Sequence, residues 1–428
     1  MGQGEATPPG FAGLVRTFAR IGCLSFGGPA GQIALMHREV VEERGWVSEE
    51  QYLHALNFCH FLPGPEAQQL ATWIGWKLHG VRGGLAAGLL FVIPGALVIL
   101  ALSMLYAVAA RLDWFAALFL GIKAAVLAGG GQALFRIAGR ALDTRVKQGL
   151  ALAAFAGLAV LAMPFPLVVL GAGALGFVAA ALRPDWLALK PATASAPLPP
   201  RPWAASFRAA MVWGAIWVAP LALVLVTLGR DHVLWQVGLF FSQLAVVTFG
   251  GAYAVLAYMA QEAVGSLGWL STGEMADGLG LAETTPGPLI LVTQFVGYMA
   301  AFRAPEPFSP LVAGVLGAAL TTWVTFAPCF LWIFTFAPWI ERLERAVRLK
   351  GALAAVTAAI VGVIASLALW FAGHLLFRQF DGMPVWSSFD WRAALLAVIS
   401  GVLLLRLKWG VLPVLGAAAS GGLLLAQF

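Results

Sequence analysis

Lys123 stands in the middle of the apolar run "WFAALFLGIKAAVLAGGGQALF". From there, reaching an interface by snorkelling is awkward. An ammonium at such depth is costly unless a partner or a water-filled cavity receives it. Elsewhere apolar sequence is broken twice by Pro-Gly-Pro, in "FLPGPEAQQ" (61–69) and "TTPGPLILV" (284–292). Proline lacks an N–H and pushes the preceding residue out of the helical region, so neither stretch continues as a helix. The turn after each break presents unpaired N–H groups and the positive end of a helix dipole, and glycine admits a ligand close to the backbone. A fixed cation with two such helix ends is suited to binding an oxyanion.

The candidate binding residues are therefore Lys123, Gly27 and Gly28, Pro63, Gly64 and Pro65, Gly250 and Gly251, and Pro286, Gly287 and Pro288. Asn57, Gln68, Gln69, Thr284, Thr285 and Gln294 add neutral polar groups around the breaks. The competing explanations are structural: Gly-Pro kinks serve close helix packing, polar residues bridge helices, and Lys123 neutralises a structural carboxylate. Glu39, Glu66 and Glu262 are candidates for coupling to protons. Glu39 and Glu262 could equally be loop-end carboxylates, and Glu66 a charge on a helix N-terminus that repels an anion until protonated.

These residues need a membrane to sit in. Of the 428 residues 61% are hydrophobic and 11% charged, and the mean hydropathy is +0.86, which leaves too little polar surface for a soluble globule. Apolar runs reach about 20 residues, enough to cross ~30 Å of hydrocarbon. We expect spans near 84–110, 114–135, 148–162 and 165–182, one near 209–229, and others near 310–338, 351–373, 392–406 and 408–427. Basic residues cluster at 77–82, 136–147, 183–208, 342–350 and 406–408, which the positive-inside rule places in the cytoplasm. The N-terminus, which lacks a secretory signal pattern, is expected in the cytoplasm and the C-terminus outside. Cys23, Cys59 and Cys329 show no CxxC spacing and read as small packing residues.

The chain also repeats itself. Residues 25–65 and 248–288 align without a gap at a constant offset of 223, with 14 of 41 pairs identical. Phe26 matches Phe249, Glu39 matches Glu262, Trp46 matches Trp269, and both Pro-Gly-Pro elements coincide. Four spans and one connecting span put an odd number between the copies, so the second should lie inverted in the membrane, a construction used by secondary transporters. The expected fold is all-α and polytopic, with two inverted repeats, broken or re-entrant helices at FGG and PGP, and a connecting transmembrane helix. Its parts are a tail at 1–10, a first repeat at 11–182, a linker and connecting helix at 183–232, and a second repeat at 233–428. Helical stretches near 11–25 and 29–43 meet at the first FGG, and stretches near 48–62 and 66–79 at the first PGP. Broken backbone at membrane depth survives only where protein or water surrounds it.

"SFGGPAGQIALMHREVVEERGW" with "HFLPGPEAQQLATWIGWKLHG", and "TFGGAYAVLAYMAQEAV" with "TTPGPLILVTQFVGY", resemble the two-domain, long-chain chromate ion transporter family, as does "GIKAAVLA" around Lys123. The resemblance runs from about Phe11 to the C-terminus. It implies a plasma-membrane protein that exports chromate on a proton or charge gradient and confers resistance, with sulfate as a competitor. Such a carrier would hold the dianion between the two broken-helix pairs near Lys123 and work by alternating access. A passive oxyanion channel or uniporter, or a sulfate transporter, is the alternative. No cofactor or metal, no nucleic-acid partner and no enzymatic activity is expected, since GxGxxG after a strand, CxxC, Walker A and haem-spaced histidines are all lacking. The partners are chromate and the lipid bilayer, with a homodimer left open.

Overall fold

The computed structural model describes residues 9–26, 28–110, 112–189, 202–249, 252–380 and 383–427. The chain runs through α1 (Phe11–Leu24), α2 (Gly28–His37), α3 (Glu49–Cys59), α4 (Glu66–Ala109), α5 (Asp113–Ala141), α6 (Arg145–Ala159), α7 (Phe165–Leu182), α8 (Trp203–Leu228) and α9 (Val233–Val247). There follow α10 (Ala252–Ala260), α11 (Thr272–Thr284), α12 (Val292–Arg303), α13 (Pro310–Phe336), α14 (Ile340–Glu344), α15 (Val347–Leu376), α16 (Trp391–Leu405) and α17 (Val411–Leu425). Among the described residues the only β pairings are two isolated bridges, Phe377 with Phe389 and Phe380 with Pro384. Six helices among them are long and apolar enough to cross a membrane: α4, α5, α7, α8, α13 with its 3-10 extension to Trp339, and α15. The protein is an all-helical, polytopic membrane protein.

The two similar segments form the same order of elements. In the first, α2 runs into a π-helical turn at Arg38–Glu42, then α3, the Pro-Gly-Pro and α4. In the second, α10 runs into a π-helical turn at Gln261–Ser266, then α11, the Pro-Gly-Pro, a 3-10 turn at Leu289–Leu291 and α12. At 1.5 Å per residue, helices of ten or so residues reach about 15 Å, half of a bilayer core. The expected stretch at 66–79 ends in a real break, because His79 and Gly80 leave helical geometry before α4 resumes.

Local chemistry fixes several helix starts. Ser48 caps α3 in a capping box with Gln51, Thr144 accepts from the Lys147 N–H at the start of α6, and Asp390 accepts from the N–H groups of Arg392 and Ala393 at the start of α16. The Thr144 and Asp390 caps explain where two of the expected spans begin. The span expected at 148–162 is α6, which begins with the Thr144 cap at Arg145 and ends at Ala159. The spans expected at 392–406 and 408–427 are helices of 15 residues each, about 22 Å long.

The chain divides into two compact units. The first comprises Met1–Leu100, Lys190–Val255 and Thr285–Lys350. Its centre is α13, packed against α8, α9 and α12. Gly297 and Gly317 bring α12 and α13 into backbone contact, since a Cβ on either would collide with the facing helix. The second comprises Ala101–Leu189, Leu256–Thr284 and Gly351–Phe428. Here α5 is central, packed against α11, α16 and α17. Gly121 and Gly422 face the carbonyls of Ala418 and Ala117, which sets α5 and α17 antiparallel at close range.

Candidate functional site

Both Pro-Gly-Pro breaks lie in the first unit, and both turn on a glycine with positive φ. Gly64 has φ +113° and Gly287 +89°, conformations that a side chain disfavours. Each glycine's N–H is held by the other segment: Gly64 donates to the Thr248 carbonyl at 2.8 Å, and Gly287 donates to the Ser25 carbonyl at 2.8 Å. Residues 64 and 287, like 25 and 248, are matched positions at the offset of 223. The two bonds are therefore one bond made twice with the roles exchanged.

Neutral amides close the rest of the junction. Gln69 Nε2 donates to the Pro63 carbonyl at 2.7 Å, and Gln294 Nε2 to the Ala96 carbonyl at 2.9 Å. Gln68 Nε2 donates to Thr72 Oγ1 at 3.3 Å. Gln32, absent from the sequence-based set, donates from Nε2 to the Gly287 carbonyl at 2.6 Å. The Oε1 atoms of Gln68, Gln69 and Gln294 are buried without a hydrogen-bond partner, so the junction keeps unused accepting capacity. Pro65, Glu66, Thr285, Pro286 and Pro288 are buried beside these amides and Pro63 is half-buried. Glu66 occupies the first turn of α4, where its charge meets the helix dipole.

Other expected members fall elsewhere. Asn57 is exposed on α3. Thr284 belongs to the second unit and turns its hydroxyl back onto the Leu281 carbonyl. Gly28 is buried with φ +71° at the start of α2, whereas Gly27, Gly250 and Gly251 lie outside the described residues. Of the cysteines, Cys59 and Cys329 are buried and Cys23 is exposed.

The matched carboxylates Glu39 and Glu262 both sit in the π-helical turns, yet in unlike company. Glu39 is 1% exposed; Arg44 Nη1 lies 2.5 Å from its Oε2, and Arg20 Nε lies 3.7 Å from Oε1. Glu262 is half-buried, and the positions matching Arg20 and Arg44 are Gln243 and Leu267. Among the described residues no ion pair reaches Glu262.

Lys123 lies in the second unit, on α5. Its Nζ is 3.0 Å from Asp277 Oδ1, and Tyr106 Oη donates to Asp277 Oδ2 at 2.7 Å. The pair is mostly buried, the lysine side chain 20% and the aspartate 13% exposed. Close packing makes the contact: a Cβ at Gly280, one turn beyond Asp277, would stand 2.7 Å from Ile122 Cγ2, next to Lys123. Tyr106 is held edge-on between Phe115 and Phe119, at 5.7 and 5.6 Å. Asp277 and Tyr106 were not among the residues expected from sequence. The available signal was Lys123 itself, since a lysine at that depth requires an acid, and Asp277 is embedded in the mostly apolar "MADGLGLA".

Comparison with known proteins agrees on one family. The Chromate transporter family profile matches residues 12–177 and 235–423, two segments that start 223 residues apart. The chain is 34% identical over 370 residues to the "Chromate transport protein" of Pseudomonas aeruginosa, covering 84% of this chain and 81% of that one. It is 28% identical over 408 residues to the "Chromate transport protein" of Cupriavidus metallidurans, covering 95% and 91% respectively. The "Probable chromate transport protein" of Synechococcus elongatus is 30% identical over 353 residues, 82% of each chain. No solved structure matches the chain. With matched segments over most of its length, twice at one spacing, this protein belongs to the chromate transporter family.

Proposed function

We propose that the protein is a secondary active transporter that exports chromate across the bacterial plasma membrane by alternating access and so confers chromate resistance. The observation that carries this reading is the mostly buried, mostly apolar setting of Lys123: a fixed positive charge on a helix apolar enough to span a bilayer. A tetrahedral dianion needs such a charge, because leaving water without a counter-charge is prohibitive. Sulfate has the same shape and charge and competes for the same groups.

Two further features support a carrier built from inverted repeats. A two-fold axis relating the segments would generate the exchanged bonds Gly64 to Thr248 and Gly287 to Ser25. The family profile recurs at the same 223-residue spacing. Broken backbone anchored by one bond per glycine can move between two arrangements more readily than an unbroken helix.

The test is uptake of radiolabelled chromate into sealed proteoliposomes, with and without an imposed pH gradient and with unlabelled sulfate as competitor. Accumulation above equilibrium is expected. Equilibration without accumulation would establish a passive channel or uniporter instead, and no flux through folded, inserted protein would overturn the transport of chromate by this chain.

A further inference from the structure

The ion pair that makes Lys123 affordable inside a membrane also occupies it. With Asp277 at 3.0 Å, the ammonium already has its counter-charge, and an arriving dianion must displace a carboxylate that cannot leave the second unit. If Asp277 stayed ionised beside a bound dianion, three negative charges would face one ammonium in a poorly solvated place, a repulsion that grows as the local dielectric falls.

The geometry points to Asp277 as the proton-accepting residue of the transport cycle, competing with the oxyanion for Lys123 and giving way when it is protonated. This rests on the oxyanion-carrier reading above and adds to it the identity of the coupling site. The exchange balances atom by atom. The ion pair between Nζ and Oδ1 opens, hydronium delivers a proton to Oδ1 and leaves as water, and the freed ammonium turns an N–H to an oxygen of the dianion. Oδ2 continues to accept from Tyr106 throughout, so the neutral acid keeps its orientation. The titratable groups facing Asp277 are Lys123 from α5, Tyr106 from α4, and Glu274 one turn back on its own helix. Glu274 is engaged at the helix start, where the Ser271 N–H and hydroxyl donate to its Oε2 at 2.8 and 2.9 Å. The carboxylate 3.0 Å from the ammonium is that of Asp277.

Charge bookkeeping gives the direction. The resting pair is neutral; the loaded site, with Lys123 charged, Asp277 protonated and a dianion bound, carries one negative charge. A potential negative inside therefore drives the loaded form outward and leaves the return of the empty form unaffected. Proton and anion bind with positive cooperativity, so each strengthens the other by the same factor.

The experiment measures half-saturating chromate for exchange in proteoliposomes at equal pH on both sides, from roughly pH 7.5 to 9, with a trapped pH dye reporting proton movement. Over that range the oxyanion is a dianion and the expected wild-type slope approaches about tenfold weaker affinity per pH unit, the limit for one linked proton. Asp277→Asn should bind chromate more tightly at the alkaline end, show no slope, and move chromate without protons. Tyr106→Phe, which removes one donor to the carboxylate, should keep the slope and shift it to higher pH. Because Asp277→Asn could fail to fold, thermal unfolding of each variant accompanies the assay and the Tyr106→Phe shift stands as an independent test. A wild-type slope and proton movement retained in Asp277→Asn would overturn the proposal, as would loss of chromate binding in that variant while folded, or an unshifted Tyr106→Phe. Absence of chromate flux through folded wild-type protein would overturn the carrier reading itself, and the proposal with it.

Discussion

Lys123, Asp277 and Tyr106 form a mostly buried polar group whose charges depend on each other. Removing one charge from such a pair costs about 3–5 kcal/mol, because the survivor is left without a counter-charge, whereas replacing both with apolar side chains is often nearly neutral. Lys123→Met should therefore lower the thermal stability in detergent, and Lys123→Met combined with Asp277→Leu should recover most of it. Neither variant should bind chromate. Equal chromate binding by folded Lys123→Met and wild type would remove the lysine from the site. By contrast Glu39 shares two arginines, Arg44 and Arg20.

At the scale of elements, the proposed transport depends on how the broken helices turn. Gly64 combines φ +113° with a tight pocket, where a Cβ would meet Gln69 Nε2 at 3.0 Å and Cys329 Sγ at 3.1 Å. A β-branched residue there is strained by about 1–3 kcal/mol from backbone alone and pushes on the amide that closes the break. Gly64→Val is expected to abolish chromate flux and lower the unfolding temperature. Gly268 also has positive φ, +58°, but nothing lies within 4 Å of its would-be Cβ. Asparagine adopts that φ at little expense, so Gly268→Asn should keep both flux and stability. Equal effects of the two substitutions would show that the Pro-Gly-Pro turn has no special role.

The whole molecule raises the question of which way each repeat faces. Inversion predicts that 230–232 is outside and 341–350 inside, and single cysteines can report it. Cys23 is the exposed native cysteine, so Cys23→Ser provides the background. In that background Asp231→Cys should react with an impermeant maleimide in intact cells, and Arg348→Cys only after permeabilisation. Labelling of both from one side would refute the inverted arrangement.

Much of this was legible in the amino-acid sequence, for reasons that are local. Apolar runs, the Pro-Gly-Pro stops and the 223-residue offset are properties of neighbouring residues, and hydrocarbon and proline chemistry act on them wherever they lie. What tertiary structure alone decided is pairing across distance. Lys123 finds Asp277, 154 positions away, because Gly280 lets α11 come down onto α5 beside Ile122. Glu39 is neutralised by arginines while its counterpart Glu262 is not, and Asn57, polar and close in sequence to the first break, points outward. A residue's type shows that it requires a partner; the packing of backbones determines which partner comes within 3 Å.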